Sequence, residues 1–278
     1  MSPRIFSGSP QTMTDPAKTL DLMESLRLKG MARVLEAELA RADKDGIAPA
    51  DLINRLVLAA LHHSQERSLL YRIEQAAMPW PWTLDTFPSH QQPGVRKSQI
   101  MGLTSLAFLD RAENIVLIGD PGTGKTGLVI GLLRQALVSG RRGRFYKAQD
   151  LLDELYASLA DRTTHKLLKR LVRYDLLVID ELGYLTLNEQ QVNAFFKLMD
   201  ERYGRKSTII TSNLDYPQWY DLFQRKSLVD ALLDRLKHHC ITIRISGPSL
   251  RIPTHSESQT TDREASKKPL SKSKAKTK

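Results

Sequence analysis

"IVLIGDPGTGKTGLVIGLL", residues 115–133, passes from four apolar residues into a glycine-rich stretch and then into apolar residues at helical spacing. Gly119, Asp120, Pro121, Gly122, Thr123, Gly124, Lys125 and Thr126 satisfy G-x-x-x-x-G-K-[ST] in the strand-to-helix context this motif demands. Its glycines let successive backbone N–H groups turn inward on a β-phosphate. Lys125 brings a point charge to the β and γ oxygens, and the Thr126 hydroxyl is placed to ligate Mg²⁺. The stretch predicts a phosphate-binding loop between a strand and a helix.

About fifty residues on, "LLVIDELGYL" (176–185) reads as an apolar strand ending in two acids. On a strand beside the first, Asp180 is placed to hold Mg²⁺ through water, and Glu181 to orient and deprotonate an attacking water. Two adjacent carboxylates favour hydrolysis. A small-molecule kinase would have to exclude that water and would need an acceptor pocket and lid for which the sequence offers no candidate. Asp180 to Gly183 also reads Asp-x-x-Gly, as in a GTPase, but no Asn-Lys-x-Asp guanine-reading motif follows, so adenine is favoured. A third strand, "STIITSN" (207–213), brings Thr211, Ser212 and Asn213 to its carboxyl end, the edge where ligands lie in open parallel sheets. Asn213 either hydrogen-bonds the attacking water or the γ-phosphate, or simply ends the strand.

The remaining β-rich runs are "RFYKA" (144–148) and "CITIRI" (240–245), and helical patterns separate all five. Strand and helix in alternation predict an α/β fold with a five-stranded parallel sheet covered on both faces. Upstream, Leu20, Met23, Leu26, Met31, Val34, Leu35 and Leu39 recur at three- and four-residue steps, as one amphipathic helix or a pair broken near Gly30 requires. A second helical run follows Pro49. The expected organisation is a disordered start at 1–13, a small all-α domain at 14–78, a linker at 79–97, the nucleotide domain at 98–252 and a disordered Lys-rich tail at 253–278. The linker boundary rests on four prolines within 78–94, which exclude a continuous helix or central strand.

A formal charge of +10 over 278 residues favours a polyanionic partner, and nucleic acid before an anionic membrane. No stretch approaches the ~18 consecutive apolar residues of a transmembrane helix, and "MSPRIFSGSPQT" lacks a signal peptide's apolar region, so a cytoplasmic location without a membrane partner is expected. The single cysteine, Cys240, agrees with a reducing compartment. His238 and His239 adjoin it, but strand neighbours point to opposite faces and no second cysteine exists, so no metal site is read there.

"HKLLKRLVR" places Lys166, Lys169, Arg170 and Arg173 at i, i+3, i+4 and i+7, one face of a helix, where a basic stripe would meet phosphates. "GRRGRF" adds Arg141, Arg142 and Arg144 in a turn where side chains reach outward. Either is a DNA contact or an ordinary solvated face. No helix-turn-helix or zinc-finger signature supplies base readout, so binding to duplex DNA is expected to be largely non-specific.

"LIGDPGTGKTGL", "DLLVIDELGYL", "STIITSNLDYPQWYDLF" and "ALLDRLKHHCITIRISGPSLR" resemble the successive boxes of IstB-type ATP-binding proteins, close kin of the DnaC helicase loaders within the AAA+ superfamily. "SLRLKGMARVLEAELA" and "YRIEQAAMPWPWTLDTF" resemble that family's helical N-terminal region, so the likeness spans roughly 20 to 252. The resemblance implies an AAA+ core without the separate helical lid, and ATP with Mg²⁺ bound between subunits of a homo-oligomer. It further implies engagement of duplex DNA and assistance to the IstA-type transposase of the same insertion sequence. It makes Asn213 a nucleotide sensor. Arg235, otherwise an exposed helical arginine, becomes the group that reaches a neighbour's γ-phosphate. Two positions depart from the family: Leu250 stands where a Tyr usually precedes the arginine of the final box, here Arg251, and Gly127 stands where His usually follows the loop. A helicase loader would read almost identically, and a DNA-coating protein with ATP as a fixed cofactor is a further alternative.

Overall fold

The computed structural model describes residues 16–88, 92, 97–183 and 185–250. The expected disordered start, the Lys-rich tail and Arg251 lie outside these residues. Helix α1 (Pro16–Ser25) packs on α2 (Lys29–Ala32), and α2 and α3 (Leu35–Asp45) fold against α4 (Pro49–Ala76). The expected break near Gly30 is displaced: the chain turns at Arg27, in a left-handed conformation, and again at Val34. Gly30 instead sits inside α2, where a Cβ would lie 2.5 Å from the Ala59 carbonyl oxygen of α4. Its smallness, not its flexibility, is what the packing uses.

Strands β1 (Asn114–Gly119), β2 (Gly143–Lys147), β3 (Leu176–Leu182), β4 (Ser207–Ser212) and β5 (Cys240–Ile245) form one parallel sheet in the order β2-β3-β4-β1-β5. Helices α5 (Lys97–Thr104), α6 (Ala107–Asp110) and α7 (Lys125–Val138) cover one face. The other carries α8 (Ala148–Ala160), α9 (Thr164–Val172), α10 (Glu189–Arg202), α11 (Trp219–Phe223) and α12 (Lys226–His238). Coverage on both faces explains why residues 115–118 of β1 and 176–179 of β3 are unbroken apolar runs rather than alternating ones. The strand carrying Asp180 does not lie beside the first, as expected; β4 separates them. The end of β4 is thereby set between the glycine loop and the acids.

The amino-terminal helices reach the sheet through the end of α4. The Arg72 Nε donates to the Leu137 carbonyl at 3.0 Å, and the Arg144 Nη1 to the Gln75 carbonyl at 2.7 Å. Arg144 is therefore turned inward over the Tyr146 ring, which corrects the expectation that it reaches outward. Arg141 and Arg142 are exposed; Arg141 pairs with Asp110 at 2.5 Å, and the Arg142 backbone N–H donates to Asp175. Residues 82–87 of the stretch expected to link the two parts lie along α7, with Trp82 against Gly127, Leu84 against Gly131 and Phe87 against Gly124. Among the described residues no helix follows β5, and none is long and apolar enough to cross a membrane.

Helix α9 buries Leu167, Leu168 and Leu171 and leaves Lys166, Lys169, Arg170 and Arg173 exposed, the arrangement the spacing predicts. Arg202 pins its far end. This guanidinium, 1% exposed, donates to the Leu171 and Tyr174 carbonyls at 2.7 and 3.0 Å, to Thr208 Oγ1 at 2.9 Å, and to the Ser207 carbonyl. Burial pushes its pKa down to about 9, which still leaves it cationic at neutral pH. Truncation would remove a donor from four acceptors packed around it. Arg202→Ala is expected to destabilise the chain by about 4 kcal/mol, measured by urea unfolding; a loss below about 1 kcal/mol would contradict this account.

Candidate nucleotide-binding site

A cavity of about 520 Å³ opens at the carboxyl end of the sheet, within the usual size range of small-molecule sites. The glycine loop forms its floor. Gly122 and Gly124 adopt φ of 82° and 91°, a left-handed region costly for residues with a Cβ, and this turns the loop from β1 into the first turn of α7. At the base of the loop, Thr123 Oγ1 donates to the Asp120 carbonyl at 2.8 Å. Lys125 Nζ donates to the Gly119 and Asp120 carbonyls at 2.6 and 2.8 Å, so its ammonium is held at the loop's mouth by acceptors that phosphate oxygens can replace.

The acids enter from β3. The strand expected to end in the two acids runs one residue past them, to Leu182, through a register shift: Ile179 pairs with Ile210 and Leu182 with Ser212. Two residues thus oppose one, a bulge, with Glu181 at φ 63°. On a regular strand neighbours face opposite sides of the sheet; here Asp180 and Glu181 both line the cavity. A left-handed glutamate carries backbone strain, which persists where surrounding contacts fix it. Thr211 is that contact: its Oγ1 accepts from the Glu181 backbone N–H at 2.9 Å and donates to Asp180 Oδ1.

Asp180 is 2% exposed and accepts from Thr126 Oγ1 at 2.9 Å. Burial raises its pKa against the opposing hydrogen bonds from Thr211 and Thr126, and the Glu181 charge raises it further. A carboxylate desolvated beside a second one and hydrogen-bonded to a hydroxyl, at the lining of an open cavity, is a donor set suited to a hard divalent cation. Asn213 closes the gap at the end of β4. Its Oδ1 is buried with no hydrogen-bond partner among the described residues, and Gly183 allows its approach, since a Cβ there would stand 2.3 Å from that oxygen.

The structure brings Pro121, Gly122, Gly124, Lys125, Thr126, Asp180, Glu181 and Asn213 around one cavity, with Gly119, Asp120 and Thr123 beneath. Arg235 is not among the lining residues. It lies on α12, paired with Asp200 at 2.6 Å and set over the Tyr203 ring. The basic residues of α9 and Arg141 and Arg142 lie elsewhere on the surface. Two contributors carry no role in the sequence reading. Thr211 was detectable, since it shares a strand face with Asn213. Trp82 was not: its ring occupies the space beside Gly127, where a Cβ would come within 2.3 Å, so the residue that stands in place of the usual His makes room for an aromatic wall. Leu250, in place of the usual Tyr, covers Gly124 and donates its backbone N–H to the Gly122 carbonyl at 2.8 Å.

A parallel sheet in this order, with a glycine loop after β1 and an acid pair on β3, defines a P-loop nucleotide-binding domain of the AAA+ kind. The crystal structure of the DnaC helicase loader superposes with a TM-score of 0.52 at 26% identity, over 60% of this chain and 97% of that one. The profile of the IstB-like ATP-binding protein family matches residues 21–258, and the chain belongs to that family. Proteins named for ATP binding in insertion sequences IS21 of Pseudomonas aeruginosa and IS232 of Bacillus thuringiensis subsp. berliner are 32% and 33% identical. The matches cover 83% and 84% of this chain and 87% and 93% of theirs.

Proposed function

We propose that the chain is an ATP-driven assembly switch: it binds ATP with Mg²⁺, oligomerises on duplex DNA, and assists the transposase of its insertion sequence until hydrolysis dissolves the assembly. The observation that carries the chemistry is the bulge that aims Glu181 into the cavity beside Asp180, Thr126 and Asn213. Backbone N–H groups of residues 122–126 and Lys125 would grip the β and γ oxygens. Thr126 and Asp180 would hold Mg²⁺, which when bound draws charge from the phosphate oxygens. Asn213 would orient water through the oxygen that has no other partner among the described residues. Glu181 takes a proton from that water as its oxygen bonds to the γ-phosphorus; the β–γ bridging bond breaks and its electron pair leaves on ADP. Arg235, exchanging Asp200 for a neighbour's γ-phosphate, would couple this step to assembly.

The insertion-sequence relatives support the transposition setting, and the +10 charge supports a polyanion partner. The exposed stripe on α9 is the preferred DNA contact; Arg170, paired with Glu154, is the member least free to take part. Changing Lys166 and Lys169 together to Ala is expected to lower duplex affinity about tenfold in ATP and to reduce the salt slope by about 2, sequence-independently. Anisotropy titrations across a KCl series read both; an unchanged slope would remove the stripe from the interface. Phosphate release with and without duplex DNA tests the whole reading: it should rise with DNA and need no other acceptor.

The DnaC likeness supports a second reading, a replicative helicase loader. It covers 60% of the chain, so the discrimination rests with the residues beyond it. Pull-down of the full chain against a replicative helicase and against the element's transposase separates the two. We also propose residues 14–78 as the partner-binding domain and 98–252 as the ATPase domain.

A further inference from the structure

We propose that Lys147 is a further phosphate-contacting residue of the site, one that reads the γ-phosphate and so sets the preference of the chain for ATP over ADP; the inference rests on the ATP reading above. Lys147 ends β2, and the parallel ladder pairs it with Asp180 on β3. Paired residues on neighbouring strands project from the same face, about 4.8 Å apart. Lys147 therefore shares the face of Asp180, as does Phe145 two residues earlier, and all three line the cavity.

Its charge is uncommitted. Among the described residues no hydrogen bond or ion pair reaches its ammonium, and the side chain is exposed. By contrast Lys125 is held by two loop carbonyls, and Lys206, Arg144 and Arg170 have partners of their own. The strand order supplies the direction. The glycine loop after β1 holds the β-phosphate, Thr126 and Asp180 lie towards β3, and β2 lies on the far side of Asp180. A phosphate chain running from the loop towards the acids presents its last group to Lys147, and a diphosphate stops short of it. A cation at that end also offsets the repulsion between a terminal phosphate and the Asp180–Glu181 pair.

The test is calorimetric titration of the full chain with Mg²⁺-ATP and with Mg²⁺-ADP. Lys147→Gln should weaken ATP about tenfold, the loss of one charge-assisted hydrogen bond, and leave ADP within about twofold. Lys147→Arg should keep most of the preference. The same change should appear in a Glu181→Gln background, since the contact is with phosphate. Equal effects on both nucleotides, no effect on either, or an effect that vanishes with Glu181→Gln would each overturn the assignment. Failure of the underlying ATP reading looks different: the unaltered chain would bind neither nucleotide, or Lys125→Ala would bind ATP as the unaltered chain does.

Discussion

Lys125→Ala is expected to lose ATP binding by a factor of about 100 or more, the largest effect on nucleotide affinity expected of any variant here. On the proposed function the ammonium would supply a charge-assisted contact to two phosphates at once, and alanine would offer the triphosphate nothing in return. The fold should survive, because the two carbonyls that Nζ caps, Gly119 and Asp120, face the open mouth of the loop, where water can replace it. Calorimetry with Mg²⁺-ATP and an unfolding curve on the same sample read both halves of the expectation. Binding within about threefold of the unaltered chain would mean that the loop grips something other than a triphosphate.

Glu181→Gln has the opposite signature. It keeps the size of the side chain and the backbone hydrogen bond to Thr211, but removes the carboxylate that, among the described residues lining the cavity, is not already bound to a hydroxyl. Nucleotide binding should persist, while phosphate release falls by a factor of about 10² to 10³, the usual cost of losing a general base. If hydrolysis dissolves the assembly, its lifetime on duplex DNA should lengthen by a similar factor, read by dissociation after dilution into competitor DNA. A hydrolysis rate that falls while the lifetime does not change would separate the chemistry from the switch and sink the scheme.

The two variants isolate different links. On the proposed function, Lys125 would act on whether the triphosphate is held, and Glu181 on how long the held state lasts. Arg202 belongs to neither, since its four hydrogen bonds keep α9 against the core, far from the cavity lining. Its replacement should lower stability without changing the ratio of ATP to ADP affinity.

The five strands, the loop after β1 and the amphipathic α9 were legible because each is written within a dozen consecutive residues: an apolar run, a glycine spacing, a helical period. The amino acids by themselves also determined the family, through boxes that keep their order along the chain. Tertiary structure alone decided the rest. It placed β4 between β1 and β3, which sets Asn213 between the loop and the acids. The bulge that turns both Asp180 and Glu181 into one cavity also lies beyond sequence patterns, because the period of a strand sends neighbours to opposite faces and only the pairing with β4 breaks it. Arg144 reads as an outward-reaching turn residue until the end of α4 offers it the Gln75 carbonyl. Trp82 reads as linker until Gly127 leaves room for its ring. In each case the deciding partner lies tens of residues away, so local patterns set which elements form, and contacts distant along the chain set where their side chains point.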